Sequence, residues 1–179
     1  MKETRERART ILTQIKYVTL ATSSLDRHPW NTPVWTAFDE AYHFYWVSAK
    51  YARHSQNIRA NPRIAIVVYD STVPPNTGKG VNTPARAYEL TDEQECKEAF
   101  ACLRCRGWEH PPSLDMVIGA TLRGVYKAVP ENIWSSNARS YSSPCLEDEE
   151  LSSQRMKRFP LVQPDENAAT ERFVLKVAQ

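Results

Sequence analysis

The chain opens with a helical pattern of apolar residues and then changes to the alternation typical of strands. The helical stripe consists of Ala8, Ile11, Leu12 and Ile15. These positions stand at i, i+3, i+4 and i+7, which predicts a helix with one buried face. Alternation with β-branched residues predicts strands over 17–22 and 30–38, and the turn residues at 23–27 join them into a hairpin.

A third strand and a second helix follow the hairpin. The segment 42–47 is aromatic at successive positions, which predicts a strand covered on both faces. Ser48 is the expected N-cap of a helix that continues to Arg59, because proline at position 62 disfavours helical geometry in the residue before it. The apolar stretch 63–69 predicts a central strand.

The second half of the chain repeats the mixture of strand and helix signals. The strand expected over 81–90 contains Pro84, which cannot donate to a ladder and favours an edge position or a bulge. Residues 91–94 (TDEQ) fit a capping box that begins at Thr91, and they introduce a third helix. Strands are expected over 121–129, at 133–134 and over 171–177.

This element order predicts a mainly β protein with short flanking helices. Six or seven antiparallel strands with short connections would most economically close into a small barrel. The length of 179 residues favours one domain, and 41% hydrophobic with 25% charged residues is typical of a globular chain. The few glycines (5) and many prolines (12) favour firm turns between short elements.

Charge and cysteine content limit the classes of partner and compartment. The 23 basic and 21 acidic residues give a net charge of +2, which does not favour nucleic-acid binding. No apolar run approaches the roughly 20 residues that cross a bilayer, so no membrane partner is expected. Four cysteines are too few for a disulfide framework in a chain of this length, which favours a reducing, cytoplasmic location.

A basic segment and a set of tryptophans are the candidate binding features. Between positions 50 and 86 the only acid is Asp70, and the basic residues are Lys50, Arg53, Arg59, Arg63, Lys79 and Arg86. Lys50, Arg53 and His54 would open the second helix, where free backbone N–H groups attract a phosphate; the alternative is a solvated helix face. Four tryptophans in or beside strands could enclose a flat heteroaromatic ligand, or could be core or interface residues. They are Trp30, Trp35, Trp46 and Trp134.

Two further constellations are weaker. Cys102 and Cys105 have CxxC spacing and could bind zinc together with Cys96 and His110, although a single pair at a helix end is more often structural. The acidic run at 147–150 is expected to be solvated. His28 and His43 are expected to face solvent or to be hydrogen-bonded.

Five segments in order carry a family resemblance. They are 17–22 (YVTLAT), 33–35 (PVW), 44–48 (FYWVS) followed by Lys50 and Arg53-His54, 61–65 (NPRIA) and 125–134 (VYKAVPENIW). In this combination the chain resembles the pyridoxamine 5'-phosphate oxidase-like proteins, over about residues 10–136. The resemblance implies an FMN-binding split-barrel domain over 1–136 and a C-terminal extension over 137–179, partly solvated.

The family resemblance also implies a homodimer with FMN in the clefts between subunits. The cofactor residues it implies are Val34, Trp35, Thr36, Val47 and Ser48 at the ring, Lys50, Arg53 and His54 at the phosphate, and Trp134, Lys79 and Trp108 from the partner subunit. His54 stands where a lysine is common, so phosphate affinity is expected to fall as the imidazole loses its proton, near its ordinary pKa of about 6.5.

The implied activity is transfer of hydride between flavin and a small molecule or NAD(P)H. A flavin carries this chemistry itself, in keeping with the lack of a nucleophile elbow, Walker or zincin motif. The Arg-x-His motif by which the true oxidases hold the substrate phosphate is missing, so oxidation of vitamin B6 is not indicated. The alternatives are a non-catalytic protein that binds or stores flavin, haem or deazaflavin, and a structural dimerisation module.

Overall fold

The computed structural model describes residues 2–137 and 171–173. The helices are α1 (Lys2–Gln14), α2 (Arg53–Ala60) and α3 (Glu93–Cys105), with a short 3-10 turn at Leu114–Met116. The strands are β1 (Tyr17–Ser23), β2 (Pro29–Trp35), β3 (Ala37–Phe38), β4 (Phe44–Ala49), β5 (Arg63–Tyr69), β6 (Lys79–Leu90), β7 (Arg123–Pro130), β8 (Ile133–Asn137) and β9 (Glu171–Phe173). All nine strands belong to one antiparallel sheet.

The sheet curls into a split barrel. Its hydrogen-bonded path runs β2-β1-β5-β6-β7-β4-β3, so β2 and β3 lie at opposite ends of it. Only Thr36 separates these two strands in the chain, and its N–H donates to the Lys16 carbonyl at 2.9 Å. The ends of the path therefore meet through the chain itself. The predicted class, a mainly β split barrel with short flanking helices, is confirmed.

Strand alternation divides the apolar side chains between two cores. The interior core packs α1 against inward residues of the barrel, with Leu20, Trp46 and Ile66 fully buried. The outer core packs α3 against the opposite face of β4 and β7, where Tyr45 and Val125 lie. Because Tyr45 and Trp46 point to opposite faces of β4, this strand is covered on both sides, as its aromatic pattern predicts.

A third surface, the outward face of β1, β2, β5 and the first half of β6, joins neither core. We call it the open face, and its central residues are Thr19, Ala21, Pro33, Ala65, Val67 and Asn82. Thr19 lies opposite both Pro33 and Val67, and Val67 lies opposite Asn82, so the six form one continuous patch. All are at least partly exposed and none is charged.

The predicted edge position of Pro84 is wrong. β6 pairs with β5 on one side without interruption in register, and with β8 and then β7 on the other. Pro84 lies where the partner changes from β8 to β7, and its carbonyl accepts from the Glu131 N–H at 2.9 Å. The missing N–H of Pro84 is accommodated by the gap between the β6–β8 ladder and the β6–β7 ladder. Neither a sheet edge nor a bulge against β5 is needed.

Two predicted helix caps are also wrong. Ser48 belongs to β4, whose pairing with β7 continues to Ala49, and α2 begins only at Arg53 after Ala52, which has no capping side chain. For α3 the cap is Asp92 rather than Thr91, because the Asp92 carboxylate accepts from the Glu95 N–H at 2.9 Å. In both cases the helix exists as predicted, but it begins later than predicted because the preceding residues form a strand end or a turn.

The C-terminal part of the chain is described only at β9, which pairs with β8. Residues 174–177 of the predicted last strand, the acidic run at 147–150 and Cys145 lie outside the described residues. The division at residue 136 stays a prediction. No helix in the described part of the chain is long and apolar enough to cross a membrane.

Candidate functional site

One predicted phosphate residue, His54, meets one predicted ring residue, Ser48, at the end of the barrel beneath α2. Ser48 points inward from β4, and its Oγ lies 2.6 Å from Nε2 of His54 on α2. His54 is only 5% exposed, and this burial lowers its pKa from the ordinary value. The imidazole is therefore neutral near pH 7, so any effect of its protonation on phosphate affinity moves to lower pH than the sequence predicts.

Lys50 lies beside this pair and is already engaged. Its Nζ donates to the Gly119 carbonyl at 2.8 Å and lies 2.7 Å from Oε1 of Glu89. The other carboxylate oxygen of Glu89 is 3.6 Å from the Arg59 guanidinium. One acid at the end of β6 thus neutralises part of the basic segment, which the sequence presents as nearly free of acids.

Glu89 is the charged residue of this barrel end that the sequence reasoning missed. It stands two residues after Ala87, an interior position of β6, so the alternation of the strand directs it into the end of the barrel. The available signal was a charged residue at an inward position of a predicted strand. The sequence could not show which basic side chains Glu89 contacts, because that depends on how the barrel closes.

Other hydroxyl groups make this end of the barrel polar. The Ser55 Oγ, the Tyr126 hydroxyl and Nε1 of Trp46 are buried, and the two hydroxyls lie close enough to interact with each other. The Tyr126 and Trp46 rings stack with centroids 5.6 Å apart. Burial raises the pKa of Tyr126, so its hydroxyl stays protonated and can donate. The barrel end therefore combines charged groups, an imidazole and hydroxyls in a small volume.

Arg53 differs from Lys50 in its surroundings. It is the first residue of α2, it is exposed, and the described residues contain no ion pair that involves it. Its charge is consequently available to an anion at the start of the helix, where backbone N–H groups are also unpaired.

The structure separates the predicted ring residues: Trp35 and Val47 pack against the outer core, whereas Val34 belongs to the interior core. Trp35, at the end of β2, is half-buried, and Trp108 meets it edge-on with centroids 5.8 Å apart and planes at 83°. Val47 packs partly buried against the same outer core, whereas Val34 and Thr36 are buried. Trp108 thus lies beside Trp35 of its own chain, before any partner subunit is considered.

Trp134 and Lys79 lie away from these residues. Trp134 pairs with Asn82 and shares the side of the open face, and Lys79 is an exposed residue at the start of β6. Among the other tryptophans, Trp46 is wholly buried, in keeping with the core alternative, and Trp30 is 48% exposed in the β1–β2 hairpin. Within one chain Trp134 therefore lies on the side of the open face and not beside Lys50. The assignment of Trp134 to the cofactor site of a partner subunit stays a prediction.

The zinc alternative finds no support in the geometry. Cys96, Cys102 and Cys105 are free thiols, and the described residues hold no group of three His, Cys, Asp or Glu side chains that could bind a metal ion.

The two histidines expected to be exposed or hydrogen-bonded, His28 and His43, are both hydrogen-bonded. Nδ1 of His28 lies 2.6 Å from Asp26, and Nδ1 of His43 lies 2.8 Å from Asp39.

Comparison with protein families gives a match over most of this barrel. The family described as pyridoxamine 5'-phosphate oxidase matches residues 4–133. The chain belongs to this family. The match includes the Trp35 and Lys50 regions and the strands that form the open face. No curated protein matches the sequence.

Solved structures of low sequence identity share the fold. The heme storage protein HutZ from Vibrio cholerae is 19% identical with a TM-score of 0.58, covering 69% of this chain and 87% of that one. A FAD-binding protein from Mesorhizobium loti is 22% identical with a TM-score of 0.54, covering 73% and 91%. A heme-binding protein from Mycobacterium smegmatis is 19% identical with a TM-score of 0.58, covering 76% and 58%. At these identities the likeness concerns the fold alone.

Proposed function

We propose that the protein is a cytoplasmic FMN-binding homodimer that transfers hydride between the flavin and a small molecule or NAD(P)H. The observation that carries the proposal is the half-buried Trp35–Trp108 pair at the border of an uncharged open face. Family membership supports a cofactor at this border. FMN would supply the redox chemistry itself, so the chain needs only to bind it and to orient a substrate.

The residues present fit FMN as one half of a cleft. Trp35 and Val47 offer a partly exposed apolar edge for a flat ring, and Arg53 offers a charge that no described residue neutralises. A single chain leaves this edge open on the side of the open face. A second copy seated there would enclose the ring, and would bring its own Trp134 toward the cleft.

The composition of the open face favours a second copy as its partner. Its central positions carry small, apolar or amide side chains that are partly exposed, and a continuous patch of this kind is typical of an interaction surface. The two exposed rings at its edge, Tyr17 and Tyr69, belong to the residue type enriched in interfaces. Free thiols at Cys96, Cys102 and Cys105 are in keeping with a reducing compartment.

The absorption spectrum of the purified protein tests the cofactor. We expect flavin bands, FMN as the compound released on heating, and bleaching when NADPH is added without oxygen. Arg53→Ala should lower FMN retention strongly, while Arg63→Ala, an exposed arginine at the start of β5, should retain it. A colourless protein whose melting temperature FMN does not raise would contradict the proposal.

Haem binding or storage is the second candidate, because two of the structural neighbours are heme proteins by name. The same spectrum separates it from the first, since haem gives a Soret band and flavin does not. Flavin that stays oxidised in the presence of NADPH would instead favour a protein that binds or stores flavin without catalysis.

A further inference from the structure

A single carboxylate joins two cations at the polar end of the barrel. Glu89 reaches Lys50 through one oxygen at 2.7 Å and Arg59 through the other at 3.6 Å. The Lys50 and Glu89 side chains are 20% and 22% exposed, so a ligand can approach both. We call Lys50, Arg59 and Glu89 the charge triad.

Lys50 does not need Glu89 to keep its position. Its Nζ also donates to the Gly119 carbonyl at 2.8 Å, and its backbone N–H donates to the Leu122 carbonyl at 2.9 Å. These two bonds hold both ends of the residue against the segment before β7. Removing the carboxylate would therefore leave the ammonium in place and without its counter-ion.

Gly124 provides the space that the carboxylate occupies. It lies opposite Ser48 in the β4–β7 pair, and a Cβ at this position would lie 3.0 Å from Cδ and 3.1 Å from Oε1 of Glu89. A larger residue would make the end of this flexible side chain move. The position of Glu89 beside Lys50 thus depends on a glycine from another strand.

We propose that Glu89 is the built-in counter-ion of a phosphate subsite, where a phosphate monoester binds by exchanging with the Glu89 carboxylate at Lys50 and Arg59. The inference rests on the proposed function and names the ligand group that this end of the barrel accepts. With Glu89 displaced, the two cations match a monoester, which carries a charge of about −1.5 to −2 at neutral pH. Glu89 then sets the affinity for the phosphate of FMN and leaves the affinity for the ring unchanged.

Titration with two flavins tests the exchange. Glu89→Gln should lower the Kd for FMN roughly tenfold, the effect of about 1.4 kcal/mol expected when a competing charge is removed near a protein surface. The Kd for riboflavin, which has no phosphate, should stay unchanged. Glu93→Gln is the matched control, because it makes the same charge change in an ion pair with Lys97 on α3.

Gly124→Ala provides an independent way to move the carboxylate. Its Cβ would press the Glu89 side chain aside by only a few tenths of an ångström. Alone it should therefore lower the Kd for FMN less than Glu89→Gln does, and in the Glu89→Gln protein it should have no further effect, because the group that it presses on has lost its charge. A Kd for FMN that is unchanged or raised in Glu89→Gln would overturn the inference, since it would mean that Glu89 organises the cations rather than competing for them.

A protein that binds neither flavin would contradict the proposed function and still allow a test of the subsite. Inorganic phosphate is then the probe, at constant ionic strength. It should raise the melting temperature of Glu89→Gln more than that of the unchanged protein or of Glu93→Gln. Equal shifts in the three proteins would overturn the inference independently of flavin.

Discussion

Arg106 joins three elements through one guanidinium group. It follows α3 directly and donates to the carbonyls of Leu12, Thr13 and Ile15, the last two at 3.0 and 2.8 Å. The Leu12 and Thr13 carbonyls belong to the last turn of α1, where carbonyls have no partner within the helix, and Ile15 follows the helix directly. The same group lies 5.1 Å from the centroid of the Phe38 ring on β3. α1 is thereby held to α3 and to the strand that closes the barrel.

Arg106→Ala should lower the free energy of unfolding by about 2–3 kcal/mol, because hydrogen bonds to a charged group are lost and buried carbonyls stay unpaired. Chemical denaturation measures the loss. Arg104→Ala removes an exposed arginine from the last turn of the same helix and should change stability by no more than about 0.5 kcal/mol. Equal stabilities of the two variants would show that the capping of α1 contributes little.

At the scale of elements, the turn from β3 to β4 depends on one carboxylate. Asp39 accepts from the His43 backbone N–H at 2.9 Å and from the Tyr45 hydroxyl at 2.9 Å, and it also contacts the His43 ring. Burial alone would raise the pKa of Asp39, but the hydrogen bonds from His43 and Tyr45 outweigh it and hold this pKa below its usual range. The turn is therefore built around an ionised acid.

This shift predicts the pH dependence of stability. Because the pKa of Asp39 is lower in the folded protein than in the unfolded chain, its contribution is present above the ordinary pKa of about 3.9 and is lost as the pH falls through the folded value. Asp39→Asn should lower the free energy of unfolding by about 1–2 kcal/mol at pH 7, with a smaller loss in Tyr45→Phe. The Asp39→Asn and unchanged proteins should converge in stability at acidic pH; a gap that is constant with pH would contradict this origin.

For the whole molecule, the open face connects the fold to the proposed cofactor site. It lies on the outward side of strands whose inward side forms the interior core, so its side chains can change without emptying that core. In the described part of the chain its central residues belong to neither core and are at least partly exposed. Dimer formation and barrel stability can thus be separated experimentally.

Val67→Lys should convert the proposed dimer into a folded monomer and abolish retention of FMN, because a charge placed in the middle of the patch would be buried without a partner. Sedimentation velocity and circular dichroism together measure the two properties. Met116→Lys, at an exposed position of the 3-10 turn, is the control and should stay dimeric. A Val67→Lys protein that remains a dimer would exclude the open face as the interface.

The sequence alone determined the elements and the side each residue faces. The stripe in α1, the alternation in β1 and β5 and the helical spacing in α3 are local patterns, and their periods state which side chains are buried. The family resemblance added the split barrel and the candidate site, because its segments occur in order along the chain. Errors at this level concerned element ends, such as the caps at Ala52 and Asp92, and the place of Pro84 within the sheet.

Only the tertiary structure decided which residues meet. The contact of Glu89 with Lys50, the bond of Ser48 to His54 and the packing of Trp108 on Trp35 join segments that no periodicity links. They follow from the register between strands and from the closure of the sheet at Thr36. Alternation along a strand fixes only which way a side chain points, whereas pairing between strands brings residues that are distant in the sequence together. For this reason the basic segment of the sequence becomes, in the folded protein, a cluster whose charge Glu89 partly neutralises.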